Sequence, residues 1–284
     1  MKTRTKIIIL SAGFLISLCL IMYPIVSAVF NSYAESLCIA QYEEAAEEIE
    51  DDIYAQMLRA AEEWNEKLSN GLYYSFDTDE YTDDEVYESL LDVNGSGMMA
   101  YIIIPKIDVS LPVYHYSTSE ILEKGAGHMP SSSLPVGGSG THCVISAHTG
   151  LPSAVMFTDL DQLGLGDMFY LKVLGETLAY VVTEIKVVEP DDTSSLLPVE
   201  GEDLCTLVTC TPYGVNSHRL LVTGTRTDYE EEEENEVSAA AAAASTAAAA
   251  VKTNRLLAAA AAAESFIFVL LIIFIVRSDR KRCF

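Results

Sequence analysis

From Met98 to Thr227 the chain runs as a string of short apolar segments, AYIII, VSLPVY, THCVIS, MFYLKVL, LAYVVTEIKVV, LCTLVTC and HRLLVTG, bounded by Gly, Pro or Asp. They are rich in β-branched and aromatic residues, and only brief helical candidates separate them. Seven such runs indicate an all-β barrel or sandwich occupying residues 98–227.

Both ends of the chain read as membrane spans. After the basic MKTRTK comes Ile7 to Phe30, 24 almost uncharged residues, enough to cross a bilayer. A cleaved secretory signal competes, with Ser27-Ala28 as its processing site, but the run is longer than a typical signal core. An uncleaved anchor is favoured. The second candidate is Leu256 and Leu257, six alanines, Glu264, Ser265 and the apolar Phe266 to Val276, followed by RSDRKRCF. Basic residues flank both spans on their outer sides. The positive-inside rule then predicts a two-pass protein of the cell membrane, with both termini cytoplasmic and everything between them extracytoplasmic.

The formal charge of −25 is concentrated. Residues 31–97 carry 19 acidic and 2 basic side chains, and residues 228–236 carry seven acidic and no basic ones. Such an exterior argues against nucleic acid as a partner, which needs a basic face. Of six cysteines, Cys19 lies in the first span and Cys283 in the cytoplasmic tail, leaving Cys38, Cys143, Cys205 and Cys210 outside. No CxxC or zinc-like Cys/His spacing occurs, so no metal is expected, and no nucleotide motif suggests a cofactor.

From Asn31 to Leu68, Tyr42, Ala46, Ile49, Ile53, Met57, Trp64 and Leu68 recur mostly at helical spacing, with Ser69-Asn70-Gly71 as the stop. This predicts a helix or helical hairpin packed on the β domain. Residues 71–97 are acidic and aromatic, as suits a mobile cover, and Asp84 to Val93 has a short-helix pattern. After Arg226 come a Glu run, read as a solvated spacer, and alanine-rich low complexity. The chain thus divides into a cytoplasmic stub and span (1–30), an acidic helical region with a possible lid (31–97), the β domain (98–227), a linker (228–255), and the second span with its basic tail (256–284).

The chemistry concentrates in TLVTCTPYGVNSHRLLVTG. Cys210 ends an apolar strand, the chain turns through Thr211-Pro212-Tyr213-Gly214, and Arg219 begins the next strand. The turn brings the two to the same end of adjacent strands. A guanidinium there can hold a thiolate and stabilise the oxyanion of a tetrahedral intermediate. In ISAHTG, His148 ends another apolar strand, 62 residues before Cys210. A nearby imidazolium or guanidinium lowers a thiol pKa, and the three groups together would make a cysteine acyl-transfer site. Taken singly, each has a plainer reading: a buried small hydrophobe, a turn histidine, a surface cation. Their joint occurrence favours the chemical one.

TLVTC followed by TPYG and NSHR, with SAHTGLPSA upstream, closely resembles the sortases of Gram-positive bacteria, whose pattern is Thr-Leu-any-Thr-Cys with a downstream Arg and an upstream His. The likeness continues through YIIIPKIDVSLPVYH, GAGHMP, SLPVGGSGTH, FTDLDQLGLGD, LGETLAYVVTEIKVVEPDD and HRLLVTGTR, nearly all of 98–227. It resembles the class C, pilin-polymerising sortases in particular, in which a C-terminal span after the catalytic domain is also typical.

The resemblance implies a mainly β, eight-stranded sortase barrel with an N-terminal helical region and a transmembrane helix at each end. It implies cleavage of a Leu-Pro-any-Thr-Gly-like sorting signal between Thr and Gly, with Cys210 holding the acyl group until a pilin lysine takes it in an isopeptide bond. By the same carry-over His148 is the general acid/base, Arg219 the oxyanion or positioning group, and Thr209 a substrate-binding neighbour. Its partners would be pilins or surface proteins bearing such a signal.

Two departures stand out. The family's lid carries an Asp-Pro-aromatic motif, whereas residues 71–97 contain no proline; Phe76 with Asp77, or Tyr81 with a neighbouring Asp, are the substitutes available. Thr149 follows His148 where the family often has Arg. His128, in GAGHMP, is expected in a loop near the cleft, His142 at a strand start, packed or facing solvent, and Cys143 and Cys205 as structural residues. Attachment of single proteins to cell-wall peptide is the alternative reaction, and a non-catalytic surface scaffold the alternative outside enzymes.

Overall fold

The computed structural model describes residues 3–69 and 85–229. Residues 70–84, which hold the first half of the segment expected as a lid, lie outside these residues, as do most of the acidic linker and the second apolar run; the other half, 85–97, is described and packs Tyr87, Leu90 and Leu91 into the core.

The apolar runs form a closed barrel of eight strands: β1 (Met98–Ile104), β2 (Val109–His115), β3 (Ala126–His128), β4 (Thr141–Ser146), β5 (Met168–Val173), β6 (Glu176–Val188), β7 (Asp203–Thr211) and β8 (His218–Arg226). Around the barrel they follow the order β1-β2-β3-β4-β7-β8-β6-β5, and β5 closes onto β1. Closure removes every unpaired sheet edge. The pairs β2/β3 and β4/β7 are parallel and the others antiparallel. Seven of the strands coincide with the seven apolar runs. The eighth, β3, has only three residues, one of them a glycine, and lacks the alternation that marks a strand. Its glycine has a packing reason, because a Cβ on Gly127 would collide with Tyr116 O and Ser117 Cα.

Alternation fills the interior. Ile102, Ile104, Leu111, Val113, Ile145, Phe169, Leu171, Tyr180, Leu207 and Val222 point inward and are buried in one continuous core. Gly224 leaves room there for Phe169, whose ring stacks on Tyr180 at 5.5 Å.

Two helices precede the barrel. α1 (Thr3–Glu47) continues without interruption from the apolar stretch into the acidic one, and α2 (Asp51–Ser69) follows after three residues. Among the described residues α1 is the one helix long and apolar enough to cross a membrane, and its most apolar stretch is uncovered. Beyond that stretch α1 docks on the outside of β1, β2 and β5. Ile39 and Tyr42 pack with Met98, Tyr101, Ile103 and Tyr170. Tyr42 is buried; its hydroxyl donates to Met99 O (2.8 Å) and accepts from Leu174 N (3.0 Å). Tyr101 donates its hydroxyl to Glu43.

α2 closes one end of the structure. Ala61 is buried in the main core, Trp64 lies against Tyr87, and the Asn65 amide bonds both backbone groups of Leu134. A short helix, α3 (Glu85–Ser89), carries Tyr87 inward. The expected helical region thus occurs as two helices, each packed on the β domain, and the short helix expected around 84–93 occurs over 85–89.

Replacing Tyr42 by Phe would leave the Met99 carbonyl and the Leu174 amide without their partner at a buried seam. The expected loss is about 1–3 kcal/mol, read by urea unfolding of the full chain in detergent. An unchanged midpoint would mean that α1 does not dock through this contact.

Candidate active site

β7 lies between a parallel neighbour and an antiparallel one, and the two registers fix what can meet at its end. Against β8, Cys210 is directly opposite Arg219, with Val208 opposite Leu221. Against β4 the offset is constant, from Thr141 beside Asp203 to Ser146 beside Val208. The backbone N–H of Ala147 prolongs this ladder by donating to Val208 O (3.1 Å). Carried on by one residue, the same register brings His148 level with Cys210.

Side chains alternate between faces along a strand, so these registers also decide which way each residue points. Cys143, Ile145, Ala147, Cys205, Leu207, Leu220 and Val222 belong to the interior core. Val144, Val208 and Leu221 face outward, where Met129, Leu196 and the partly buried Val188 cover them in a separate cluster. Cys210 and Arg219 share this outward parity, and His148 has it by extension of β4. The three therefore sit at one end of an apolar floor laid on the outer face of β4, β7 and β8.

All three are half-buried. The Arg219 guanidinium is anchored through Nη1, which donates to His218 O (3.2 Å) at the start of β8 and to Asn216 O (3.4 Å) in the turn before it. Its remaining N–H groups form a fork suited to an oxyanion or a backbone carbonyl. His148 is held through its backbone, its carbonyl accepting from Phe157 N (3.0 Å). Partial burial lowers its imidazole below the usual histidine pKa, against the opposing pull of the Glu123 carboxylate. At neutral pH the ring is mostly neutral, competent to take a proton.

Thr209 points the other way from Cys210. It is buried, and its hydroxyl donates to Ala147 O (2.8 Å). With the Ala147 amide bond to Val208, this clamps the segment before His148 onto β7 from both sides. Its spacing of one residue from Cys210 contained that information, since neighbours on a strand face opposite ways.

His128 and His142 are structural. His128 lies in β3 and is fully buried, which corrects its expected position in a loop near the cleft. Its Nε2 donates to Ser133 O (2.9 Å), leaving Nδ1 to accept from the Tyr87 hydroxyl (2.7 Å). His142 is also buried. Nδ1 donates to Leu197 O (3.1 Å), so Nε2 accepts from Thr206, whose hydroxyl in turn accepts from Thr223. This chain ties the β6–β7 connection over the apolar floor, a contribution the sequence did not suggest. Cys143 and Cys205 are register partners buried in the core. Phe76, Asp77 and Tyr81 lie outside the described residues.

Comparison with known proteins gives the family. A family model described as the sortase domain matches residues 102–227. The crystal structure of sortase C-1 from Streptococcus pneumoniae is 41% identical, with a TM-score of 0.64, covering 68% of this chain and 100% of that one. Sortase C-1 from Actinomyces oris is 47% identical, with a TM-score of 0.58, over 62% of this chain and 99% of that one. Among curated proteins, sortase A of Bacillus anthracis is 32% identical over 123 residues, 43% of this chain and 57% of that protein. Sortase A of Streptococcus agalactiae is 31% identical over 39% of this chain and 45% of that protein, so the chain spans about half the length of these two curated relatives. The chain belongs to the sortase family and, with its structural neighbours, to the class C branch of it.

Proposed function

We propose that this protein is a membrane-anchored cysteine transpeptidase that cleaves a Leu-Pro-any-Thr-Gly-like sorting signal between Thr and Gly and joins the threonine carbonyl to a lysine amine of another pilin. The observation that carries the reading is the double register of β7, which pairs Cys210 with Arg219 and levels it with His148. α1 is the anchor, and a second span after the linker would complete a two-pass topology with the barrel outside.

In the first half-reaction the Cys210 thiol passes its proton to His148, the resulting thiolate adds to the threonine carbonyl, and Arg219 donates to the oxyanion that forms. The intermediate collapses to a thioester as the C–N bond breaks, and His148, now protonated, delivers its proton to the leaving glycine amine. In the second, an incoming amine attacks the thioester carbonyl and gives up a proton to His148. The C–S bond breaks, the isopeptide bond remains, and the thiolate is regenerated. Thr209 acts indirectly, as a positioning residue.

Incubating the full chain in detergent with a sorting-signal peptide should yield a thioester adduct by mass spectrometry, absent in Cys210→Ala. Neither adduct nor cleaved peptide from the unaltered chain would sink the proposal. His148→Ala should lower turnover by about 10²–10⁴-fold, and Arg219→Ala by about 10²–10³-fold. If a wall-peptide amine resolves the thioester and a pilin lysine does not, the reaction is attachment to the wall instead of polymerisation.

The low His148 pKa predicts a bell-shaped kcat/KM profile whose acidic limb lies below 6.5, the ordinary histidine value. Glu123→Gln removes a charge that favours the imidazolium, so this limb should move lower still. A limb that stays in place would mean that it does not report His148. Thr209→Val, which cuts the bond to Ala147 O, should lower kcat with little change in KM, and Thr209→Ser should restore it; failure of the serine variant to rescue would remove the positioning role.

A further inference from the structure

The docked part of α1 runs along the barrel in a definite direction. At its start Asn31 Nδ2 donates to Ser153 O (3.0 Å), in the loop that follows His148. About 16 Å further along the helix axis, Tyr42 bonds Met99 O and Leu174 N, beside the β5–β6 turn. From that turn β6 runs the length of the barrel to Val188, the residue paired with Arg219. The end of the barrel bearing Cys210, His148 and Arg219 is therefore the end at which α1 arrives from its apolar stretch, whose last residue, Phe30, is 69% exposed.

Two loops at this end project apolar groups that are exposed among the described residues. In residues 149–156, Ala154 and Met156 pack into the core while Val155 turns outward. In the turn after Cys210, Tyr213 and Val215 are each 69% exposed. The two loops touch: Gly150 has φ +73° and lies so close to the Tyr213 ring that a Cβ there would come within 2.8 Å of it. Tyr213 thus stands on the loop that Asn31 holds, beside the point where the apolar run of α1 ends.

We propose that the catalytic end of the barrel rests on the bilayer, with Val155, Tyr213 and Val215 seated at the headgroup level of the membrane that α1 enters. The inference rests on reading α1 as a membrane anchor. A tyrosine with two aliphatic neighbours is the composition favoured at a membrane interface, where the ring meets acyl chains and the hydroxyl meets water. The Asn31–Ser153 bond sets the height of the loops relative to the apolar run, so their exposure has a partner in the lipid. The thiol then works at the membrane surface, and the barrel end closed by α2 points away from it.

The test uses the full chain in vesicles of phosphatidylglycerol and phosphatidylcholine, the latter brominated near the head of its acyl chains to quench tryptophan at contact. With Trp64→Phe as background, single tryptophans are introduced as Phe30→Trp, Tyr213→Trp, Val215→Trp and Glu176→Trp, the last at the β5–β6 turn. The bromolipid should quench fluorescence in the first three and leave Glu176→Trp unchanged. Val215→Trp leaves the Tyr213 ring against Gly150 in place and guards against a disturbed turn in Tyr213→Trp. Quenching in Phe30→Trp without quenching in Tyr213→Trp or Val215→Trp would overturn the proposal and leave the anchor standing. Loss of quenching in all would remove the anchor reading and this inference with it. A response at residues 213 and 215 to added sorting-signal peptide, with none to bromolipid, would reassign the lip to substrate.

Discussion

The hydrogen-bond ladders on the two sides of β7 are the constraint on which the site depends. The parallel ladder to β4 carries a constant offset from Thr141 to Ala147, and the antiparallel ladder to β8 sets Cys210 opposite Arg219. A slip of one residue in either would turn a whole set of side chains to the wrong face. It would swing core residues such as Ile145 or Val222 outward and turn Cys210, His148 or Arg219 into the core. The same apolar packing that fills the barrel therefore enforces the alignment of the chemistry. Outside, Val144, Val208, Leu221 and Leu196 repeat the argument on the opposite face, so the register is secured from both sides of the sheet.

The helices bring a second kind of order. α1 is fastened to the barrel by tyrosines whose rings pack in apolar seams and whose hydroxyls find polar partners at the far end. Burial pushes the Tyr42 hydroxyl up to about 12, so it stays protonated and keeps donating to Met99 O at any physiological pH. Tyr101 is held protonated in the same way, by burial and then by its bond to Glu43. α2 pins the segment around Leu134 through Asn65, and that segment leads into β4. The N-terminal region thus supports the strand that precedes His148.

Much of this could be read in the chain before any coordinates. Seven strands were legible because they are apolar runs of five or more residues rich in β-branched and aromatic side chains, and the N-terminal helices because Tyr42, Trp64 and Leu68 recur at helical spacing. β3 was not, since three residues including a glycine carry no period, and a histidine in such a stretch reads as a loop residue although His128 belongs to the core. Cys210, His148 and Arg219 were legible as strand-end residues. Their common face was not, because it follows from register, which a single sequence does not print. The roles of Thr206 and Thr223 in holding His142 were equally hidden, for threonine is ordinary in any strand and the bond to Leu197 O comes from a distant connection.

The two ladders of β7 also differ in how far apart along the chain their partners lie. Cys210 and Arg219 are joined by a tight turn, whereas 62 residues separate His148 from Cys210. Loop-closure entropy grows with the logarithm of the loop length, so bringing the histidine in costs about 1.7 kcal/mol more than closing the β7–β8 hairpin. Local pairings form ahead of distant ones for the same reason. By this measure the Cys210–Arg219 hairpin is favoured to form before His148 is brought level with it. On the proposed reading, the alignment of Cys210 with His148 is then tied to completion of the barrel, whereas its alignment with Arg219 needs only the hairpin.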